Sequence, residues 1–546
     1  MHRGKANFTF SQVPSVVRPR SVFDRSRTYK TTFDAGYLIP FYFDEVLPGD
    51  SCMLNVTSFA RLATLIVPFM DNLWMDFFFF FVPNRLVWEN WQRFCGEQDN
   101  PDDSTDYLVP QVTATPSVGS LYDYFGLPIG KELTVDSLLL RSYNLIWNQF
   151  FRDENIQDSV EVPVDDGPDN ASDFVLLKRG KRKSDPFTSA LPWPQKGPGV
   201  ELPLGGTAEV RGNGSALGIV FDSTQDSSGG QMPSVVNGYL GFAASPGPTG
   251  TWPSIGDSAQ IVTSVTGKVV GVTQDPKRSG LVADLSTATA ATINSLREAF
   301  QIQKWYEQLA RGGSRYNELV LSMFGCNTGD ARLQRPEYLG GGSTPIQVHA
   351  VAQTSATSTD AQYQLTTPTG SLAAYGVSGQ SGIGFQKSFV EHGHVIGLVS
   401  VRGDYTYQQG IDRVWSRQTK FDFYWPAFAH LGEVPILNKE LYYSADESVD
   451  NAAFGYQERW YEYRYGVSKI TGKLRSGING SLDVWHLAQD FENLPTLNST
   501  FIQENPPVDR VIAVQNEPQF IFDSVIKCRT ARVMPVYSVP GLVDHF

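Results

Sequence analysis

The chain has 546 residues, of which 41% are hydrophobic and 18% are charged, and its formal net charge is −13. This content of large apolar residues excludes an intrinsically disordered chain, and the negative charge argues against nucleic-acid binding by the chain as a whole. The 49 glycines and 33 prolines predict many turns and few long helices.

The N-terminal segment is basic and polar. Residues 1–30 contain one acid, Asp24, and the basic residues Arg3, Lys5, Arg18, Arg20, Arg25, Arg27 and Lys30. Because prolines also interrupt this stretch, it predicts an extended basic N-terminal arm, and residues 31–546 are expected to form the folded domain with its insertions. The first residues, MHRGKANF, lack the apolar core of a secretory signal, so we expect assembly in the cytoplasm.

Three strands are predicted after the arm: Phe33–Val46, Met53–Val67 and Leu73–Val82. The third contains five consecutive phenylalanines, and such an apolar run is typical of a strand that is covered on both faces. Residues 62–82 are the most hydrophobic stretch, but proline, asparagine and aspartate interrupt them. They therefore do not meet the requirement of about 20 apolar residues for a membrane span.

Helices are predicted over Arg85–Gln98, Val135–Asp153 and Ala291–Arg311, because apolar residues recur there at helical spacing. Pro83 ends the preceding strand, since it has no N–H to donate. Trp88 and Trp91 of the first helix are expected to pack near the phenylalanine strand. Thr134 is the predicted N-cap of the second helix.

Residues 199–290 differ in composition from the rest of the chain. They are rich in Gly, Ser, Thr, Pro and Val, with turn sequences such as Ser245–Gly250, and this pattern favours a projecting surface insertion with short strands. Strand signals return further along, in Ile346–Ala352, Phe389–Arg402, Phe421–Trp425, Lys469–Leu474 and Phe520–Arg529.

No catalytic, cofactor-binding or metal-binding residue is predicted from the sequence. The sequence has no G-x-S-x-G, H-E-x-x-H, Walker A or G-x-G-x-x-G motif. His392 and His394 would share one side of a strand, but without a third ligand we interpret them as exposed or structural. Asp165 and Asp166 are interpreted as solvated loop acids. The cysteines Cys52, Cys95, Cys326 and Cys528 form no C-x-x-C pair, so neither a disulfide framework nor a zinc site is expected.

Several long blocks resemble one viral family. The segment DNLWMDFFFFFVPNRLVWENW, Asp71–Trp91, closely resembles the major capsid protein of the Microviridae, small single-stranded DNA phages, and specifically of their gokushovirus branch. Further similar blocks follow the family order: Arg20–Asp50, Leu191–Gly197, Leu333–Gly342, Trp425–Glu440, Phe454–Tyr465 and Arg532–Phe546. Residues 199–290 are the main departure, because no family block is found there.

The resemblance implies a mainly β fold, a single eight-stranded viral jelly roll (a β-sandwich) with long inserted loops and a few helices. It also implies a structural function, self-assembly into a small icosahedral T=1 shell that encloses circular single-stranded DNA in the virion. The implied partners are further copies of the chain, an internal scaffolding protein during assembly, a DNA pilot protein and the genome. A variable insertion in this family protrudes around threefold axes, so residues 199–290 are expected to mediate attachment to an unspecified host receptor.

Two basic segments are the candidates for DNA contact: Arg3 and Lys5 in the arm, and a cluster of Lys178, Arg179, Lys181, Arg182 and Lys183. Basic groups bind phosphates without reading base sequence, and nearby Phe174 and Phe187 are predicted to offer stacking surfaces. The alternative for the cluster is a solvated loop, or a salt-bridge donor between subunits that faces acidic residues 165–173.

Two other functions remain open alongside the capsid interpretation. Aromatic-rich β-sandwiches also bind sugars, so the chain is compatible with a jelly-roll glycoside hydrolase or a carbohydrate-binding adhesin. The capsid hypothesis predicts megadalton particles, whereas both alternatives predict discrete small species.

Overall fold

A computed structural model describes residues 19–180, 185–200, 209–212, 219–221, 270–272, 281–284, 293–311, 321–323, 334–355 and 369–537. The chain divides into two compact units, one formed by residues 1–196 and 307–546 and the other by residues 197–306. The structure is mostly β-sheet with few helices.

The larger unit contains a six-stranded antiparallel sheet. Its strands are β1 (Ser21–Asp24), β2 (Arg27–Phe33), β4 (Ser51–Leu65), β13 (Gln347–Ala352), β14 (Leu372–Ser388) and β18 (Phe520–Arg532). They are arranged in the order β1-β18-β4-β14-β13, and β2 also pairs with β18. The strands β1 and β2 lie at the C-terminal end of the predicted arm, while residues 1–18 are outside the described residues.

A four-stranded antiparallel sheet faces the first. It consists of β3 (Ile39–Val46), β5 (Leu73–Pro83), β12 (Glu337–Pro345) and β15 (Gly393–Gly403), in the order β12-β5-β15-β3. Smaller pairs are formed by β6 (Gln111–Ala114) with β7 (Leu133–Asp136), and by β16 (Glu433–Leu437) with β17 (Ala453–Glu458). In the smaller unit, β8 (Glu209–Gly212) pairs with β11 (Leu281–Asp284), and β9 (Ile219–Phe221) pairs with β10 (Val270–Val272).

The α-helices are short apart from one. They are α1 (Trp91–Phe94), α2 (Leu121–Tyr124), α3 (Leu138–Ile146), α4 (Ile293–Arg311), α5 (Asn438–Leu441), α6 (Glu447–Asp450) and α7 (Ser499–Ile502). No helix in the described part of the chain is long and apolar enough to cross a membrane.

The main core lies between the two large sheets. Phe41 and Phe77 come from the four-stranded sheet and Phe522 from the six-stranded one, and all three are buried. The Phe41 ring centroid lies 5.7 Å from that of Phe77 and 5.9 Å from that of Phe522, with the rings edge to face in both pairs. This is the packing expected of a β-sandwich, in which the inner faces of two sheets interdigitate.

The phenylalanine strand β5 is covered on both faces, as predicted. Phe77 and Phe79 belong to the core between the sheets. Phe80 points the other way and belongs to a second core, which Trp88 and residues of α3 share. The prediction of burial is therefore confirmed, and so is the packing of Trp88 nearby.

Several predicted elements are wrong in extent or type. The helix expected over Arg85–Gln98 is a 3₁₀ turn, Asn84–Leu86, followed by the single turn α1. Phe421–Trp425 and Lys469–Leu474 are not strands, and 3₁₀ turns occupy much of them. Both stretches have β-prone residues but no neighbouring strand to pair with, and strand propensity depends on that context.

The second predicted helix begins later than expected. Thr134 lies in β7, where its hydroxyl is 2.8 Å from that of Thr113 on β6, so it is not an N-cap. The helix α3 begins at Leu138, whose backbone N–H donates to the Asp136 carboxylate at 2.8 Å. A π-helical turn, Trp147–Phe151, follows α3 directly. The third predicted helix is confirmed as α4, which begins within two residues of the expected start.

Candidate nucleic-acid interface

Only part of the predicted DNA-contact set can be placed. Lys178 and Arg179 lie within the described residues, whereas Arg3, Lys5, Lys181, Arg182 and Lys183 lie outside them. The Lys178 side chain reaches the surface, whereas the Arg179 side chain turns inward.

The backbone at Lys178 and Arg179 is held from both sides. Lys178 forms an isolated antiparallel bridge with Tyr37, and the N–H of Arg179 donates to the carbonyl of Gly36 at 2.9 Å. On the other side, the N–H of Glu504 donates to the carbonyl of Arg179 at 2.8 Å. The start of the basic cluster is therefore fastened to the larger unit.

Arg179 is committed to an internal ion pair. Its guanidinium lies 2.5 Å from the carboxylate of Asp76 on β5, and only 13% of its side chain is exposed. Arg402 on β15 contacts the same carboxylate at 2.9 Å. Two arginines thus share one buried aspartate between neighbouring strands.

The charge of Asp76 depends on these two arginines. Burial disfavours the ionised carboxylate, but the guanidinium of Arg179, a hydrogen bond with the Ser343 side chain and the guanidinium of Arg402 together outweigh it and hold the pKa of Asp76 below its usual value. Removing either partner would leave buried charge without full compensation. Arg179 therefore acts in the described structure as a structural residue.

Lys178 points to the surface. Its ammonium donates to the side-chain oxygen of Asn505 at 2.9 Å and lies 4.9 Å from the centroid of the Tyr37 ring. Burial lowers the pKa of Lys178, against the attraction of Asp34 and Asp509. The predicted stacking surfaces are wrong, because Phe174 and Phe187 are only 2% and 3% exposed and belong to hydrophobic cores.

The acidic stretch beside the cluster has an internal partner that sequence reasoning missed. Arg141 on α3 is fully buried and forms an ion pair with Asp169 at 2.5 Å, and it also approaches Asp165 at 3.5 Å. Asp166 accepts a hydrogen bond from the indole of Trp88 at 2.7 Å. The sequence offered one sign of this ion pair, a charged arginine within the predicted helix Val135–Asp153.

The two histidines considered as metal ligands lie in packed surroundings. The His392 ring lies 5.5 Å from that of Trp91, and burial lowers the pKa of His394 to about 4. Among the described residues, no group of three or more His, Cys, Asp and Glu side chains is arranged to hold a metal ion.

Comparison with known proteins identifies the family. Residues 11–542 match the model of the family described as "Capsid protein (F protein)". The chain belongs to this capsid protein family. It is 46% identical to capsid protein VP1 of Bdellovibrio phage phiMH2K, over 98% of each chain. It is 44% identical to capsid protein VP1 of Chlamydia phage 1, over 98% of this chain and 97% of the relative.

A third relative, capsid protein VP1 of Spiroplasma virus 4, is 36% identical over 96% of this chain and 95% of its own. These relatives are gokushovirus-type Microviridae, so the predicted family is confirmed. The protein is a structural major capsid protein of the virion and not an enzyme. It assembles into a multimeric shell, and this function is favoured over the hydrolase and adhesin alternatives.

Proposed function

We propose that this capsid protein self-assembles into a small icosahedral T=1 shell around circular single-stranded DNA, and that a single eight-stranded jelly roll is its wall. The observation that carries the proposal is the pairing order of the two large sheets, together with the match to capsid proteins over nearly the whole chain. The test is electron microscopy of the purified protein, in which closed icosahedral particles are expected.

The strand order supports one jelly roll. In the first sheet β2, β18, β4 and β14 are neighbours, and in the second β3, β15, β5 and β12 are neighbours. Successive strands of the set alternate between the sheets except for β5 and β12. This double Greek-key order is typical of jelly rolls. Strands β1 and β13 extend the first sheet at its edges.

DNA contact is proposed for the basic arm and for the basic cluster, without base specificity. Lys178 supports DNA contact, because its ammonium reaches the surface. Three further basic residues follow it closely in the sequence: Lys181, Arg182 and Lys183. Arg179 is assigned a supporting role, since its guanidinium is paired with Asp76. The partners proposed besides DNA are an internal scaffolding protein and a DNA pilot protein.

The DNA proposal is tested by neutralising Lys181, Arg182 and Lys183 together. Phosphate contacts release counterions on binding, so particles of the variant should form at normal yield but contain less DNA. As a control, Arg475→Gln changes an exposed arginine elsewhere. Normal DNA content in the triple variant would exclude lumenal contact by the cluster.

Residues 199–290 are proposed as a variable protrusion that mediates host attachment. In support, this window falls within the separate compact unit of residues 197–306, and loops on a rigid scaffold are where recognition usually resides. Deleting residues 206–276 and closing the gap with a short Gly-Ser linker should leave particles intact and abolish adsorption to host cells. Loss of particles would assign the window to the shell, and unchanged adsorption would remove the attachment role.

A further inference from the structure

A small polar cavity lies in the long connection between β15 and β18. Its volume is ≈ 170 Å³, and Arg413, Arg417, Lys439 and Arg459 are among the side chains that line it. Since a water molecule occupies about 30 Å³ in the liquid, the cavity has room for a phosphate group or several waters.

Two of the arginines have unsatisfied donors. The Nε atoms of Arg417 and Arg459 are buried and find no hydrogen-bond acceptor among the described residues. The nearest ion-pair contact of Arg417 is 3.5 Å long, from its guanidinium to the carboxylate of Glu462, and 13% of the Arg417 side chain is exposed. Arg459 forms no ion pair within the described part of the chain. Buried N–H groups without acceptors are rare and costly, so the cavity favours an anionic ligand.

The three acids that line the cavity are already engaged, Glu462 with Arg417. Asp422 accepts hydrogen bonds from the backbone N–H groups of Thr419 and Gln418 at 2.7 and 3.0 Å. Glu440 pairs with Arg413 at 3.2 Å. Among the described residues, Arg459 forms no ion pair with a carboxylate, and its guanidinium lies 5.1 Å from the centroid of the Trp460 ring. A guanidinium presents several N–H donors in a planar fork that matches phosphate oxygens.

An exposed aromatic ring lines the cavity, and a second one contacts a lining arginine. Phe421 lines the cavity and is 54% exposed, and Tyr463, beside Arg417, is 52% exposed. The Arg417 guanidinium lies 4.8 Å from the Tyr463 ring centroid. Flat rings beside cationic groups are the features that bind single-stranded nucleic acid by stacking and phosphate contact.

We propose that this cavity and its aromatic rim bind a nucleotide unit of single-stranded nucleic acid, with a phosphate at Arg417 and Arg459 and a base stacked on the rim. The proposal rests on the genome-enclosing function proposed above, and it adds a site outside both basic segments. A second copy of the chain would bury the rings equally well. However, it would need an acidic side chain to reach Arg459, whereas a nucleotide unit supplies both the anionic phosphate and the ring of its base.

The binding test uses unassembled full-length protein and a fluorescein-labelled oligothymidylate of about 10 nucleotides. Arg459→Gln should weaken binding about tenfold and reduce the slope of log affinity against log salt by about 0.7, the value for one phosphate contact on a single strand. The matched control is Arg475→Gln, which removes the same charge from an exposed arginine that does not line the cavity. Equal losses in both variants would overturn the proposal.

The stacking part is tested separately. Phe421→Leu should weaken binding of the oligothymidylate but not of an abasic strand of the same length. Phe59→Leu on β4, at a phenylalanine that is also 54% exposed and does not line the cavity, is its control. Equal losses on the two strands would overturn the stacking role of the rim.

Wild-type protein provides a test that does not depend on the folding of a variant. Photo-crosslinking to an iododeoxyuridine strand should label peptides within residues 413–465, and labelling only elsewhere would overturn the proposal. If Arg459→Gln abolishes particles while oligonucleotide binding is unchanged, the cavity is instead an interface between copies. These binding results do not depend on assembly, so failure of the wild-type protein to form particles would count against the shell alone.

Discussion

Phe79 is the residue on which the sandwich core most depends. It is fully buried, and its ring centroid lies 5.8 Å from that of Phe41 and 5.5 Å from that of Phe385, so it contacts strands of both sheets. The aromatic run on β5 made its burial predictable from the sequence, because an apolar run that continuous has no solvent-facing side.

We predict that Phe79→Ala lowers the free energy of unfolding of the subunit by about 3–5 kcal/mol, the usual cost of such a cavity. Particle yield should fall accordingly. The control is Phe59→Ala on β4, where the ring is 54% exposed and a change within about 0.5 kcal/mol is expected. Denaturant unfolding of both variants measures the difference, and equal stabilities would contradict the burial argument.

The ion pairs of Asp76 give a prediction about pH. Because its pKa is lowered in the folded protein, the stability that Asp76 contributes is present above the unfolded pKa of about 3.9 and is lost as pH falls through the lower folded value. Asp76→Asn should therefore cost about 3–5 kcal/mol at neutral pH, and the difference from wild type should shrink below about pH 4.

Unfolding free energies measured from neutral to acidic pH test this prediction. Asp404→Asn is the control, since that carboxylate is 51% exposed and lies 3.5 Å from Arg402. A difference for Asp76→Asn that stays constant down to pH 3 would show that its charge does not stabilise the fold. The sequence alone did not reveal this site, because Asp76 interrupts an apolar strand and its partners are more than 100 residues away in sequence.

At the scale of elements, strands rich in apolar residues were predictable and glycine-rich strands were not. The strands β4, β5 and β18 follow the predictions closely. The strands β12 and β14 were missed in whole or in large part, since sequences such as LGGGS and GVSGQSGIG are typical of turns. In the fold, these glycines allow close approach between neighbouring strands and sheets.

Gly384 on β14 tests this explanation. A Cβ atom built there would lie 1.9 Å from the backbone carbonyl oxygen of Leu54, whereas one at Gly379 on the same strand would meet nothing within 4 Å. We therefore expect Gly384→Ala to destabilise the subunit by about 1–3 kcal/mol through overpacking, and Gly379→Ala to be nearly neutral. Thermal unfolding of the two variants compares them, and equal melting temperatures would contradict the packing explanation.

At the scale of the whole molecule, the pairing of distant segments was beyond the reach of sequence patterns. Cys52 and Cys528 are 476 residues apart, yet their sulfur atoms lie 3.6 Å apart because β4 and β18 are neighbours. Periodicity describes one element at a time and does not specify its partner. The family resemblance supplied the expected architecture, while the internal roles of Arg141 and Arg179 appeared only with the tertiary structure.

The central claim is that copies of this chain close into a shell. Exposed aromatic residues such as Trp415 and Tyr443 supply apolar surface of the kind that is buried between subunits, and repeated identical contacts with closed symmetry produce a container. Electron microscopy of the purified full-length protein, with size-exclusion chromatography of the same sample, tests this most directly. We expect uniform, closed icosahedral particles of megadalton mass, and a sample that contains only monomers or small oligomers under assembly conditions would show that the chain does not form a shell.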